Sequence, residues 1–166
     1  MTSPTQPGLV EPAAAHADLV ASWSRSAYEA RLWCSVVEHP FDPDRVRRWW
    51  RDDDVRPWLL VDERSASPVA YGEVWVDEGE DEAEIARVLV DPAARGRGMG
   101  RRLVTLLAAD ARALGLSSCF VRVNPANDAA LAAYRSAGFV DVDPALAAEW
   151  NAPQPVSYVW LQLLDA

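Results

Sequence analysis

The run from Ala83 to Val123 constrains this chain most, because its hydrophobic period changes twice. Ala83–Val90 reads as a strand. Gly98–Leu114 places Met99, Leu103, Leu106, Leu107, Ala111 and Leu114 along one helical stripe. Gly115 ends that helix, and Ser118–Val123 reads as a strand again. Strand, helix and strand form a βαβ unit, so its two strands are expected to be parallel.

The remaining segments build outward from that unit. Ala13–Val37 carries Leu19, Val20, Trp23, Ala27, Leu32 and Val36 at helical intervals, which predicts one or two helices. Asp42 is placed as an N-cap with Pro43 at the first helical position, opening a helix to about Arg51. Trp58–Val61, Val69–Val76 and Ala83–Val90, separated by turns, predict an antiparallel meander. On the middle strand Val69, Tyr71, Glu73 and Trp75 share one face. Asn127–Ser136 reads as a short helix, Phe139–Val142 as a strand, Pro144–Pro155 as a loop with a helical turn, and Val156–Leu163 as a last strand. At 166 residues this predicts one α/β domain over 1–166, with a loose arm over 1–12 and a short strand at Leu9–Glu11. The expected fold class is mixed α+β: a central, largely antiparallel sheet flanked by helices.

Charge and composition exclude several functions. The 25 acidic against 16 basic residues give a net charge of −9, which disfavours sequence-independent nucleic-acid binding. Every basic residue is Arg. Without Lys there is no P-loop and no Schiff-base chemistry on the protein. His16, His39, Cys34 and Cys119 form no metal-ligand spacing and no disulfide framework, so no metal is expected and a reducing cytoplasm fits. No apolar run is long enough to span a membrane, and Met1–Gly8 lacks a signal-peptide pattern.

The chemistry concentrates in Val88-Leu89-Val90-Asp91-Pro92-Ala93-Ala94-Arg95-Gly96-Arg97-Gly98-Met99-Gly100. Glycines after a strand let the backbone approach a ligand, and free amides at the helix start favour an anion. Together they form a candidate phosphate cradle, with Arg95, Arg97, Arg101 and Arg102 reversing the sign of an acidic chain. The spacing is not that of a dinucleotide fingerprint, and Arg122-Val123-Asn124 offers no acidic ribose partner. The competing structural reading is that the glycines only permit tight packing.

Arg95-Gly96-Arg97-Gly98-Met99-Gly100 resembles the Q/R-x-x-G-x-G/A signature of the GNAT superfamily of acetyl-coenzyme A-dependent N-acetyltransferases. Asn127, Ala130, Leu131, Tyr134, Gly138 and Phe139 resemble its N-x-x-A-x-x-x-Y-x-x-x-G-F stretch. The resemblance covers roughly residues 58–142. It implies a GNAT fold whose parallel strands splay apart and admit acetyl-coenzyme A. It implies that the backbone of Val88, Leu89 and Val90 pairs with pantetheine, with the Val90 N–H as the candidate oxyanion donor. Arg95, Gly96, Arg97, Gly98, Met99 and Gly100 would hold the pyrophosphate, and Asn127 would bond pantetheine. Tyr134, otherwise readable as core, would stand at the thioester sulfur as general acid. The resemblance also implies Glu84 as the candidate base, in the Ala83-Glu84-Ile85 context where some members keep a catalytic Glu; Arg122 stands where other members carry theirs, and Glu73 or an ordered water is the reserve.

The implied activity is N-acetylation of a primary amine by direct attack in a ternary complex. The acidic stretch Asp77, Glu78, Glu80, Asp81, Glu82 and Glu84 favours a small cationic amine, although its plainer reading is a hydrated hairpin tip. A protein N-terminal or Lys acceptor is the alternative within the class, and a non-catalytic acyl-coenzyme A-binding module is the alternative outside it. A homodimer is the family's common habit. Trp23, Trp33, Trp49, Trp50, Trp58 and Trp75 precede the motif and read chiefly as core or subunit interface, otherwise as an aromatic acceptor pocket.

Overall fold

The computed structural model describes residues 8–164. Its centre is a seven-stranded sheet in the order β1-β2-β3-β4-β5-β7-β6. The strands are β1 (Leu9–Val10), β2 (Val55–Asp62), β3 (Ser67–Asp77), β4 (Glu82–Val90), β5 (Ser118–Val123), β6 (Phe139–Asp141) and β7 (Val159–Leu163). The expected meander is β2-β3-β4, and β4 and β5 are the parallel pair. The segment read as a loose arm is docked from Leu9 onward: β1 pairs with β2, and Leu9 is buried. Residues 1–7 of that arm lie outside the described residues.

The Ala-rich N-terminal segment resolves into two helices, α1 (His16–Ser22) and α2 (Ala27–Cys34). Ser26 caps α2 by accepting from the Glu29 N–H. Asp42 caps α3 (Pro43–Trp49) by accepting from the Asp44 N–H, with Pro43 in the first turn as expected. These helices cover one face of the sheet, where Val20, Trp23, Trp33, Phe41 and Val46 pack with Leu59, Tyr71 and Leu89. The other face carries α4 (Met99–Ala113) and α5 (Asp128–Ser136), whose Leu103, Leu107, Leu131 and Tyr134 join Val74, Ile85, Val121 and Leu161.

Pro144–Pro155 is more ordered than its reading as a loop. It contains α6 (Pro144–Asn151), started by the Asp143 carboxylate, which accepts from the Ala145 and Leu146 N–H groups. Trp150 of α6 packs edge-on against Phe120 and Trp160, which anchors it to β5 and β7. No helix among the described residues is long and apolar enough to cross a membrane.

Candidate active site

The site is made by a pair of strands that part company. β4 and β5 stay in register only through Glu82–Ser118, Ala83–Cys119 and Glu84–Phe120. β5 then turns to β7, while β4 continues to Val90 beside β3 alone. One edge of β4 therefore opens on a gap, with the polar backbone of an extended chain available to a ligand. The Asp91 N–H bonds the Val69 carbonyl at 2.9 Å, so strand alternation turns the N–H and C=O of Val90 away from β3; the carbonyl accepts from Arg95 Nε at 3.1 Å, and the N–H faces the gap.

A β-bulge shapes this edge. The pairing Tyr71–Leu89 is followed by Glu73–Ala86, so Arg87 and Val88 together face Gly72. Arg87 has φ +48°, a left-handed conformation that costs a non-glycine residue about 1–2 kcal/mol. Its neighbours hold it there. The Arg87 carbonyl accepts from Trp33 Nε1 at 2.7 Å, and Arg87 Nη1 donates to Glu73 Oε2 at 2.9 Å. The guanidinium carbon lies 3.8 Å from the Trp49 ring centre and 4.7 Å from that of Trp75. A Cβ on Gly72 would lie 2.7 Å from Leu107 and 3.2 Å from Val88, so this glycine gives the bulge its room.

The glycine loop continues from β4. Asp91 caps a 3-10 turn over Pro92–Ala94. Gly96 and Gly98 have φ +73° and +77°, and nothing lies within 4 Å of a Cβ placed on either. Their role is therefore backbone conformation and open approach, not tight packing. Intrahelical bonding begins with the Arg102 N–H to the Gly98 carbonyl at 3.0 Å, which leaves the amides of Met99, Gly100 and Arg101 free at the positive end of α4. Arg97 is exposed and Arg101 is exposed beside it.

Arg95 sits differently from its expected place on the phosphate. Its guanidinium pairs with Glu29 at 3.1 Å and donates to the carbonyls of Trp23 and Val90, each at 3.1 Å. It ties the loop to α2 and to the end of β4.

At the foot of the gap is a cavity of about 260 Å³ lined from both faces of the sheet. Glu84, Val88, Asn127 and Tyr134 line it, and so do Cys34, Arg87, Arg122, Asn124 and Tyr158. None of residues 89–100 does, so the loop is reached along the open β4 edge beyond it. The buried Tyr134 ring stacks edge-on against Phe139 at 5.6 Å. Burial first, then the Glu84 charge, push the Tyr134 phenol well above its ordinary pKa, which keeps its proton in place. Glu84 pairs with Arg122 at 2.9 Å. Burial raises the Glu84 pKa, and the Arg122 charge offsets part of that rise. Asn127 caps α5 with its side-chain oxygen, which accepts from Ala130 N–H at 3.2 Å, so its amide NH₂ remains available.

The sequence matches the acetyltransferase (GNAT) family profile over residues 20–139. The chain belongs to the GNAT acetyltransferase family. It is 36% identical to an IAA acetyltransferase of Azospirillum brasilense over 91 residues, 55% of this chain and 58% of that one. It is 48% identical to the N-alpha-acetyltransferase RimI of Mycobacterium tuberculosis over 58 residues, 35% of each chain. The chain thus spans less than two thirds of these curated relatives. Among solved structures, the spermidine N-acetyltransferase of Vibrio cholerae with coenzyme A and spermine superposes with a TM-score of 0.68 at 15% identity, covering 93% of this chain and 91% of that one.

Within this GNAT fold, the structure brings Glu84, Val88, Asn127 and Tyr134 to one cavity and leaves the reserve carboxylate outside it. Glu73 is fully buried, accepting from the Tyr71 hydroxyl, from Trp75 Nε1 at 2.5 Å and from Arg87 at 2.9 Å. Every bond it makes is internal, and its place is to anchor Arg87. Of the acidic stretch only Glu84 reaches the cavity: Asp81 accepts from the Ser117 N–H at 3.2 Å, Asp77 from the Glu80 N–H at 3.1 Å, and none of Asp77–Glu82 lines it. Trp23, Trp33 and Trp58 are buried as core, while Trp33 and Trp75 also reach the cavity wall. Sequence reasoning missed Arg87 and Asn124. Asn124 closes a turn by accepting from the Ala126 N–H at 3.0 Å, and its Asn-Pro dipeptide was the available signal. Arg87 had none, because its position depends on the bulge.

Proposed function

We propose that the protein transfers the acetyl group of acetyl-coenzyme A to a primary amine by direct attack in a ternary complex. The observation that carries this reading is the meeting of the Tyr134 hydroxyl, Glu84 and the unpaired β4 edge at the foot of one gap, with the free amides of α4 farther along it.

The residues fit the coenzyme. The open space around Gly96 and Gly98, the amides of Met99, Gly100 and Arg101, and the exposed Arg97 and Arg101 suit a pyrophosphate. The β4 edge over Val88, Leu89 and Val90 suits the amides of pantetheine, and the Asn127 NH₂ can join them. Bound there, acetyl-coenzyme A supplies an activated thioester carbonyl.

The chain's own groups do the rest. An alkyl ammonium, with a pKa near 10, must lose a proton before it attacks. Glu84, raised by burial, accepts that proton through a chain of water, because six strand residues at about 3.3 Å each separate it from Val90. The N–H of Val90 points into the gap and stabilises the oxyanion formed as the C–N bond is made. Tyr134, held protonated, gives its proton to the departing sulfur as the C–S bond breaks. No metal is required by this scheme.

Thiol release from acetyl-coenzyme A in the presence of amines tests the reading. Tyr134→Phe keeps the ring and deletes the hydroxyl. The expected result is amine-dependent turnover that falls roughly 10²-fold in this variant, with coenzyme affinity little changed. Thiol release that no amine accelerates would instead mark a coenzyme-binding module.

A further inference from the structure

The lining of the cavity runs against the charge of the chain. In a protein of net charge −9, the charged residues that line it are Arg87, Arg122 and Glu84. Trp75 bridges the two guanidiniums, whose central carbons lie 4.7 and 5.8 Å from its ring centre. Arg122 is also held against Tyr158 at 5.8 Å and Trp160 at 5.7 Å. Aromatic faces fix a guanidinium without consuming its N–H donors, which leaves those donors for a planar anion.

The donors are indeed spare. Arg87 spends Nη1 on Glu73, and Arg122 spends Nη1 on Gln154 at 3.3 Å and Nε on its ion pair with Glu84. Among the described residues no buried side-chain nitrogen or oxygen lacks a partner. The unused Arg87 and Arg122 nitrogens are therefore open to solvent. Both residues line the cavity, and their side chains are 19% and 29% exposed.

A polycationic acceptor would find no free carboxylate for its further ammonium groups, because Glu73 is buried against Arg87 and Glu84, the one carboxylate in the lining, is paired with Arg122. A zwitterion matches the wall at both ends: its ammonium meets Glu84 and its carboxylate meets an arginine. Resting on the acetyl-transfer reading above, we infer that the acceptor is a small amino acid or amino-carboxylate, recognised through its carboxylate by Arg122 and Arg87. The apolar and aromatic part of the wall, including Leu32, Trp33 and Tyr158, is available for its side chain.

The test compares free L-amino acids with their carboxamides, which keep shape and α-amine and lose only the negative charge. Spermidine and a short peptide complete the panel, and thiol release gives kcat and KM. For the best acceptor, the free acid is expected to exceed its carboxamide at least tenfold in kcat/KM, with the difference in KM. In Arg122→Gln the acid-to-amide ratio is expected to collapse toward one. Equal or faster turnover of carboxamides, peptide or spermidine overturns the inference while leaving acetyl transfer intact. If no amine is turned over, acetyl transfer itself fails, and calorimetry then decides the anion site. N-acetyl amino acids titrated into the coenzyme A complex should bind at least tenfold tighter than N-acetyl amino acid amides, and equal binding overturns the inference.

Discussion

Arg95 divides two accounts of the glycine loop. Motif spacing makes it a phosphate ligand, whereas the structure turns its guanidinium away to Glu29, Trp23 and Val90. Arg95→Ala distinguishes them. The Arg95 and Glu29 side chains are 34% and 26% exposed, so solvent screening limits the ion pair to about 1 kcal/mol. The bonds to two main-chain carbonyls contribute about 1 kcal/mol each after exchange with water. The clamp is therefore worth about 2–3 kcal/mol, or a fall in Tm of about 5–10 °C for a domain of this size. Urea unfolding measures the stability, and calorimetric titration with coenzyme A, well below the variant's Tm, measures the site. Coenzyme affinity is expected to stay within about threefold, because the amides of Gly96–Arg101 are untouched. Glu29→Gln should lose about 1 kcal/mol, and the double variant should show a coupling of about 1 kcal/mol between the two positions. Native stability combined with a tenfold loss of coenzyme affinity in Arg95→Ala would refute the clamp and return Arg95 to the phosphate.

The remaining expectations concern the cradle, the base and a thiol. Gly98→Val should weaken coenzyme A binding at least tenfold by calorimetry, while Gly100→Ala, whose Cβ meets only Val90 at 3.6 Å and Ala133 at 3.9 Å, should stay within about threefold. The acid limb of kcat/KM should lie above the ordinary Glu value of 4.5, because burial raises Glu84 and the base must be ionised. Arg122→Gln removes a charge that lowers this pKa, so the limb should move further up in pH; movement downward, or a limb also retained in Glu84→Gln, would exclude Glu84 as the base. Burial pushes the Cys34 thiol up to about 11 from 9.0, so at pH 8 its alkylation by iodoacetamide should be about 10²-fold slower than that of an ordinary thiol, as read by mass spectrometry.

Local signals made the frame legible. Asp42-Pro43, the α4 stripe and the strand-loop-helix order are short-range patterns, and each element stands where the pattern places it. The α6 helix was hidden because its apolar side is set by Phe120 and Trp160, which are distant in sequence. The bulge was hidden for a deeper reason. A period of two puts positions 84, 86, 88 and 90 on one face, and one extra residue reverses every side chain beyond it. Leu89 accordingly packs with Tyr71 among the N-terminal helices, while Val88 and Val90 turn toward Gly72 and Gly100 on the α4 side. What holds the extra residue is Trp33 on the Arg87 carbonyl and Glu73 on its guanidinium, from α2 and β3, both of which precede β4 in the chain. The same contacts hold Arg87 at the cavity wall. The residue that breaks the strand's alternation is therefore also one that lines the cavity, and no alternation pattern read along β4 could reveal either place.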